Sequence, residues 1–212
     1  GTSNQIVGVT YGNNTFVTVG SSGTILTSYD GTTWTEQISG ISLSFSDVTY
    51  ANDTFVAVGD SGTILTSDDG TNWEDRTDTS TTSNILYGVT YSNGTFVAVG
   101  AAGTILTSPD GTNWEDRTDT NTTSNILYDV TFGNDTFVAV GNSGTILTSH
   151  DGTDWEDRTD TNTTSNILYD VTFGNDTFVA VGNSGTILTS HDGTDWEDRT
   201  DTNTTSNILY DV

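Results

Sequence analysis

The sequence predicts an all-β chain in which one four-stranded antiparallel sheet is copied five times, and three observations predict it. The first is repetition. Residues 124–164 and 165–205 are the same 41 letters, and GTILTS begins at Gly23, Gly62, Gly103, Gly144 and Gly185, at intervals of 39, 41, 41 and 41 residues. A fixed period of this size marks one structural unit copied and stacked. The second is punctuation: clusters of Gly, Asn and Asp cut each copy into short runs of β-branched and aromatic residues. The third is that runs such as Phe178 to Val181 are apolar at consecutive positions. Both faces of such a sheet need cover.

The copy from Ile126 to Thr161 gives the elements in order. Ile126 to Phe132 is β-branched and aromatic and reads as the first strand. Gly133, Asn134 and Asp135 tolerate positive φ and make the first hairpin turn. Thr136–Val140 is the second strand, Gly141–Gly144 the second turn, and Thr145–Ser149 the third strand. His150–Thr153 turns the chain again, and a fourth, outermost strand begins at Asp154 and runs to Arg158. A helical repeat of similar length would need apolar spacing near 3.6 residues and good helix formers, and these runs have neither. Radial packing sandwiches each sheet between two neighbours, so the expected architecture is a five-bladed β-propeller of four-stranded antiparallel blades in a single domain spanning residues 1–212. The blades fall at about 4–40, 41–81, 82–122, 123–163 and 164–205.

The third turn carries a phrase that resembles the Asp-box (BNR) repeat of sialidase-like propellers. Its five versions run Ser28 to Trp34, Ser67 to Trp73, Ser108 to Trp114, Ser149 to Trp155 and Ser190 to Trp196, with the aspartates at Asp30, Asp69, Asp110, Asp151 and Asp192. Each is one residue shorter between Asp and Trp than the usual S-x-D-x-G-x-T-W form. In phrase, AVGNSGTILTSHDGTDW is most similar to photosystem II assembly-factor-like propellers. The resemblance implies the propeller fold and a structural box. The Asp accepts hydrogen bonds from backbone N–H groups of its own turn, and the Trp buries its ring between blades.

Composition excludes whole classes of function. The formal charge is −25, and the only cations are Arg76, Arg117, Arg158 and Arg199. Spread over the roughly 9,500 Å² expected for this mass, that is about one net negative charge per 400 Å². Such a field repels nucleic acid and anionic membranes. It suits a cationic partner, or simply solubility. Without cysteine there is no thiol chemistry. No apolar run approaches the ~20 residues of a membrane span, and the opening GTSNQIVGV lacks the basic start and apolar core of a secretory signal. The sequence assigns no compartment.

Candidate chemistry is sparse. Sialidase-like enzymes, by resemblance, need several arginines converging on a carboxylate and a Tyr nucleophile. Here every Arg sits three residues after a Trp on the outermost strand, so the four occupy equivalent, non-converging places. The Arg-rich protein-binding face of the assembly-factor-like family is missing too, so that partner does not carry over. His150 and His191 fill a slot that holds Tyr29, Asp68 and Pro109 elsewhere, which reads as an exposed turn. The carboxylates between Trp155 and Asp160 read as a solvated acidic edge rather than a Ca²⁺ loop. Asp47, Asp129, Asp170 and Asp211 share one place in the first strand, either as hydrogen-bonded strand residues or as an acidic tunnel mouth. Eight N-x-T sequons, from Asn13 to Asn203, are mainly two turn sites copied with the repeat. No catalytic residue, metal or cofactor is assigned, and ligand-binding residues stay unassigned.

Blades four and five are the same and blade one is the most divergent, which reads as amplification of one unit, natural or engineered. Residues 206–212 are a surplus first strand of a sixth unit. Two segments, Gln5–Tyr11 and Ile208–Val212, compete for the innermost strand of blade one, and the N-terminal one should win because it continues into its own hairpin. The C-terminal piece would then fray, pack outside, or pair with another chain, as unpaired strands do. A monomer is favoured. The functional expectation is a non-catalytic structural or interaction scaffold. The rivals are a multivalent glycan- or protein-binding propeller and, further behind, a glycoside hydrolase.

Overall fold

A computed structural model describes residues 2–201 and 204–212, so the sequon at Asn203 lies outside the described residues. Those residues form five sheets of four strands, in each of which the strands lie side by side in chain order. The fold class is all-β, with the five four-stranded antiparallel blades of a propeller. Only single turns of 3₁₀ helix interrupt the strands, and no helix is long and apolar enough to cross a membrane.

The fourth copy shows how the letters become a blade. Its strands are Leu127–Gly133, Thr136–Gly141, Ile146–Ser149 and Glu156–Asp157. Asn134 (φ 45°) and Asp135 (φ 57°) supply the positive φ the first hairpin needs. The second turn is tighter than a simple loop. Asn142–Gly144 is a 3₁₀ turn, with Ser143 at φ 58° and Gly144 at φ 71°. Gly141, by contrast, is extended at φ −168° and belongs to the second strand. A register shift between Leu127 and Asp129 sets Tyr128 on a bulge. Bulges re-aim side chains, and here Tyr128 meets Tyr169 of the next copy at 5.2 Å between ring centres.

The outermost strand is shorter than its sequence suggests. Only Glu156 and Asp157 pair, with Thr148 and Leu147. The Arg158 N–H still donates to the Ile146 carbonyl at 2.8 Å, and beyond it side chains take over the backbone's partners: the Asp157 carboxylate accepts the Thr159 N–H at 2.8 Å, and the Thr159 hydroxyl accepts the Ile146 N–H at 3.1 Å.

Two compact units divide the chain: residues up to Ala98 with Leu106–Asp116, and Val99–Ile105 with Arg117–Val212. In the first, one core joins Val17, Val19 and Ile25 of blade one to Phe45, Val48 and Phe55 of blade two. A second core in that unit joins Val56, Val58 and Ile64 of blade two to Leu86, Val89 and Phe96. In the second unit Val138, Val140 and Ile146 of blade four close over Leu168, Val171 and Phe178 of blade five. Blade two's two apolar faces are therefore served by different neighbours, as consecutive apolar letters demand.

One expectation needs correction. The box Trp was expected to bury its ring between blades. It does lie against those inter-blade cores, but Trp73, Trp114 and Trp196 are only partly buried and Trp34 is 38% exposed. Each ring leans on the second-strand Phe of its own blade at about 6.4 Å, which leaves its outer face to solvent. The termini divide as follows. Ile6–Gly12 is the first strand of blade one, as expected. The C-terminal segment packs outside, one of the three places expected for it: it seats along blade five, with the Leu209 N–H on the Gly182 carbonyl at 3.0 Å and Tyr210 against Tyr169 at 5.1 Å.

Candidate functional site

The third turn is built around one carboxylate. In blade four Asp151 Oδ1 accepts the N–H groups of Thr153 (2.8 Å) and Asp154 (3.2 Å) and the Ser149 hydroxyl (3.2 Å). The same hydroxyl accepts the Gly152 N–H at 2.9 Å, and the Trp155 indole donates to the Gly152 carbonyl at 2.9 Å. Blades one and five repeat the pattern around Asp30 and Asp192. Backbone donors hold the carboxyl in its charged form, pushing Asp151 and Asp192 down to about 2. This turn consumes its own polar groups and leaves the carboxylate little capacity for a substrate.

The same economy governs the other candidates. His150 Nδ1 lies 3.0 Å from the Asp135 carbonyl and His191 Nδ1 2.9 Å from that of Asp176, so each exposed ring braces the neighbouring hairpin of its own blade. The Asn13 and Asn134 amides donate at 3.1 Å to the carbonyls of Asp68 and His191 in the following blade, a tie between blades that the sequon pattern does not announce. In the acidic edge Glu156 pairs with Arg158, while Asp160 caps the Asn162 N–H at 2.9 Å.

A cleft between adjacent blades recurs along the chain. Arg158, Asp160, Thr163 and Thr164 of blade four line one side, and Asp195 and Trp196 of blade five the other, around about 170 Å³. Forty-one residues earlier Arg117 and Asp119 face Asp154 and Trp155 across about 180 Å³. Another step back, Arg76 and Asp78 face Asn113 and Trp114 across about 170 Å³. In blade four Arg158 is held from both sides: its Nε donates to the Thr148 hydroxyl at 3.1 Å and its outer nitrogen pairs with Glu156. With that charge compensated, Asp160 and Asp195 make the cleft net acidic beside a half-exposed indole.

Three of the first-strand aspartates stitch consecutive first strands together. Asp47 Oδ2 accepts the Val89 N–H at 2.9 Å, Asp129 Oδ2 the Val171 N–H at 3.0 Å, and Asp170 Oδ2 the Val212 N–H at 2.6 Å. Burial raises the Asp170 carboxyl well above the usual range, and its hydrogen bond to the neighbouring Asp129 carboxyl raises it further. An acid whose folded pKa is raised binds its proton more tightly folded than unfolded. Its contribution is therefore full below the unfolded value near ~4 and is lost as pH rises toward the folded one. Acidifying from mildly alkaline pH to about pH 5 should stabilise the protein. Asp170→Asn, which keeps the acceptor and removes the charge, should flatten that slope and raise the melting temperature at alkaline pH. Equal slopes for both proteins in a thermal melt series would contradict the buried pair.

No family model and no curated protein matches the chain. Solved structures do. YCF48 bound to a D1 peptide matches over 92% of this chain and 66% of its own, at 22% identity and TM-score 0.69. YCF48 from Cyanidioschyzon merolae matches over 97% of this chain and 74% of its own, at 18% identity and TM-score 0.68. The computationally designed Ika8 protein matches over all of this chain and 65% of its own, at 15% identity and TM-score 0.73. The chain thus spans about two thirds to three quarters of the length of these neighbours. At such identities the likeness is one of architecture, and the architecture common to this chain and its neighbours is the β-propeller.

Proposed function

We propose that the chain is a non-catalytic, Asp-box-type interaction scaffold that takes basic side chains of a protein partner, one per inter-blade cleft. The observation that carries this reading is the recurrence of a Trp-edged cleft at 41-residue steps, with two carboxylates in each of the two clefts of the second unit and Asn113 in place of one of them in the first. Each cleft is smaller than the ~300–1,000 Å³ of an ordinary small-molecule site, which suits one side chain. A Lys or Arg there meets carboxylates and an indole face, both attractive to a cation. Equal weak sites at fixed spacing gain from simultaneous occupancy, and the charge of −25 steers a basic partner toward all of them. That the neighbouring YCF48 structure holds a peptide supports a protein partner over a glycan.

Titration with lysine-rich peptides by calorimetry tests the reading. Binding should saturate and weaken with salt. Asp154→Asn with Asp195→Asn should lower affinity about two- to fivefold per site while the far-UV spectrum stays unchanged. Saturable binding on a glycan array with none to basic peptides would replace this reading with a lectin. Glycoside turnover abolished by an Arg substitution would replace it with a hydrolase.

A further inference from the structure

We propose that residues 206–212 cap a docking face on blade five whose occupant is blade one of a second copy of this chain. This goes beyond the partner reading above and uses a different surface.

The face is defined by the repeat itself. Blades four and five have the same letters, so blade five presents on its far side what blade four presents to blade five. What that surface receives is visible once within the second unit: Val138, Val140 and Ile146 cover Leu168 and Val171 completely. Their counterparts on blade five are Val179, Val181 and Ile187, and of these Val179 and Ile187 are only half-buried. Gly133 shows the steric key. A Cβ there would stand 2.0 Å from the Phe173 ring of the next blade, and in the first unit one on Gly12 would stand 2.0 Å from the Tyr50 ring. The counterpart Gly174 has nothing within 4 Å. It is a seat shaped for an aromatic ring and left open.

Blade one carries the matching surface. Ile6, Val9 and Tyr11 hold the places of Leu168, Val171 and Phe173. Val9 is 64% exposed and Tyr11 55%, whereas the valines at the same place in the other blades are nearly sealed. Trp34, which corresponds to Trp196, is exposed as well. Docking this blade on blade five sets Tyr11 over Gly174 and offers the Val9 N–H to Asp170, as the Val171 N–H is offered to Asp129. Such a contact is head-to-tail.

The C-terminal segment already sits there. Leu209 and Val212 stand 41 residues beyond Leu168 and Val171, and the Val212 N–H makes the Asp170 bond. Within residues 1–212 it is a weak cap. Ile208, Tyr210 and Val212 remain 43%, 67% and 50% exposed. A whole blade covers more apolar surface and competes with it. The charge on each copy opposes association, so salt should favour it.

Sedimentation velocity over a wide concentration range, at low and high salt, tests the proposal on three proteins: the 1–212 chain, the chain without 206–212, and the shortened chain carrying Gly174→Leu or Val9→Asp. Removing the cap should tighten self-association about tenfold or more, most at high salt. Either substitution should return the shortened chain to monomer, and both sites have room for the change without unfolding the blade. A shortened chain that stays monomeric, with its blade-one face exposed or closed within one molecule, overturns the proposal. So does association indifferent to Gly174→Leu.

Discussion

Replacing Phe137 by alanine should lower the unfolding free energy by about 3–5 kcal/mol, among the largest losses a single side chain can cause here. Phe137 is wholly buried and stands between two other rings, Phe132 at 4.7 Å and Trp155 at 6.5 Å. Alanine leaves a cavity that strands paired on both sides of Thr136–Gly141 cannot collapse to fill. For a chain of this length the melting temperature should fall by about 6–20 °C. Phe16 holds the same place in blade one, where it is only partly buried, so Phe16→Ala should cost clearly less. Calorimetric melts of the two variants check the contrast, and equal losses would mean that depth of burial is not what makes this ring matter.

Gly141→Ala should also be severe, by about 1–3 kcal/mol or more. The reason is proximity rather than backbone freedom, since an extended residue at φ −168° suits any side chain. A Cβ at Gly141 would lie 2.0 Å from the Ile126 carbonyl oxygen. That oxygen is fixed by the Asn142 N–H, which donates to it at 2.9 Å. Gly182 in blade five has the same relation to the Ile167 carbonyl, at 1.9 Å. Gly174→Ala is the control: it meets nothing, and its effect should stay within about 0.5 kcal/mol of zero. Denaturant melts that placed the two variants together would refute the close-approach account.

These two glycines also show where the sequence was legible and where it was not. Asn134 and Asp135 could be placed in a positive-φ hairpin from their letters, because few other residues accept that conformation. The third turn was equally readable, since Ser149, Asp151 and Gly152 bond only to neighbours a few residues away. Gly141 looks like a turn residue in sequence, yet its role depends on a carbonyl fifteen positions earlier. The half-exposure of Trp155, the stitching by Asp129 and Asp170, and the seat taken by Leu209 and Val212 all depend on which blade lies alongside. Local propensity carries no such information. The cleft lay between those extremes. Arg158 and Trp196 were both conspicuous, but they belong to different copies, and only the lateral packing of blades four and five brings them to one space.

The sheets are apolar on both sides and hold their shape only with another sheet packed against them. A peptide of residues 124–164, one complete copy, tests this most directly when its thermal unfolding is followed by far-UV circular dichroism beside that of the 1–212 chain. The long chain should melt cooperatively from a β spectrum, and the single copy should show a disordered spectrum with no transition. A cooperative melt of the isolated copy from the same β spectrum would contradict it.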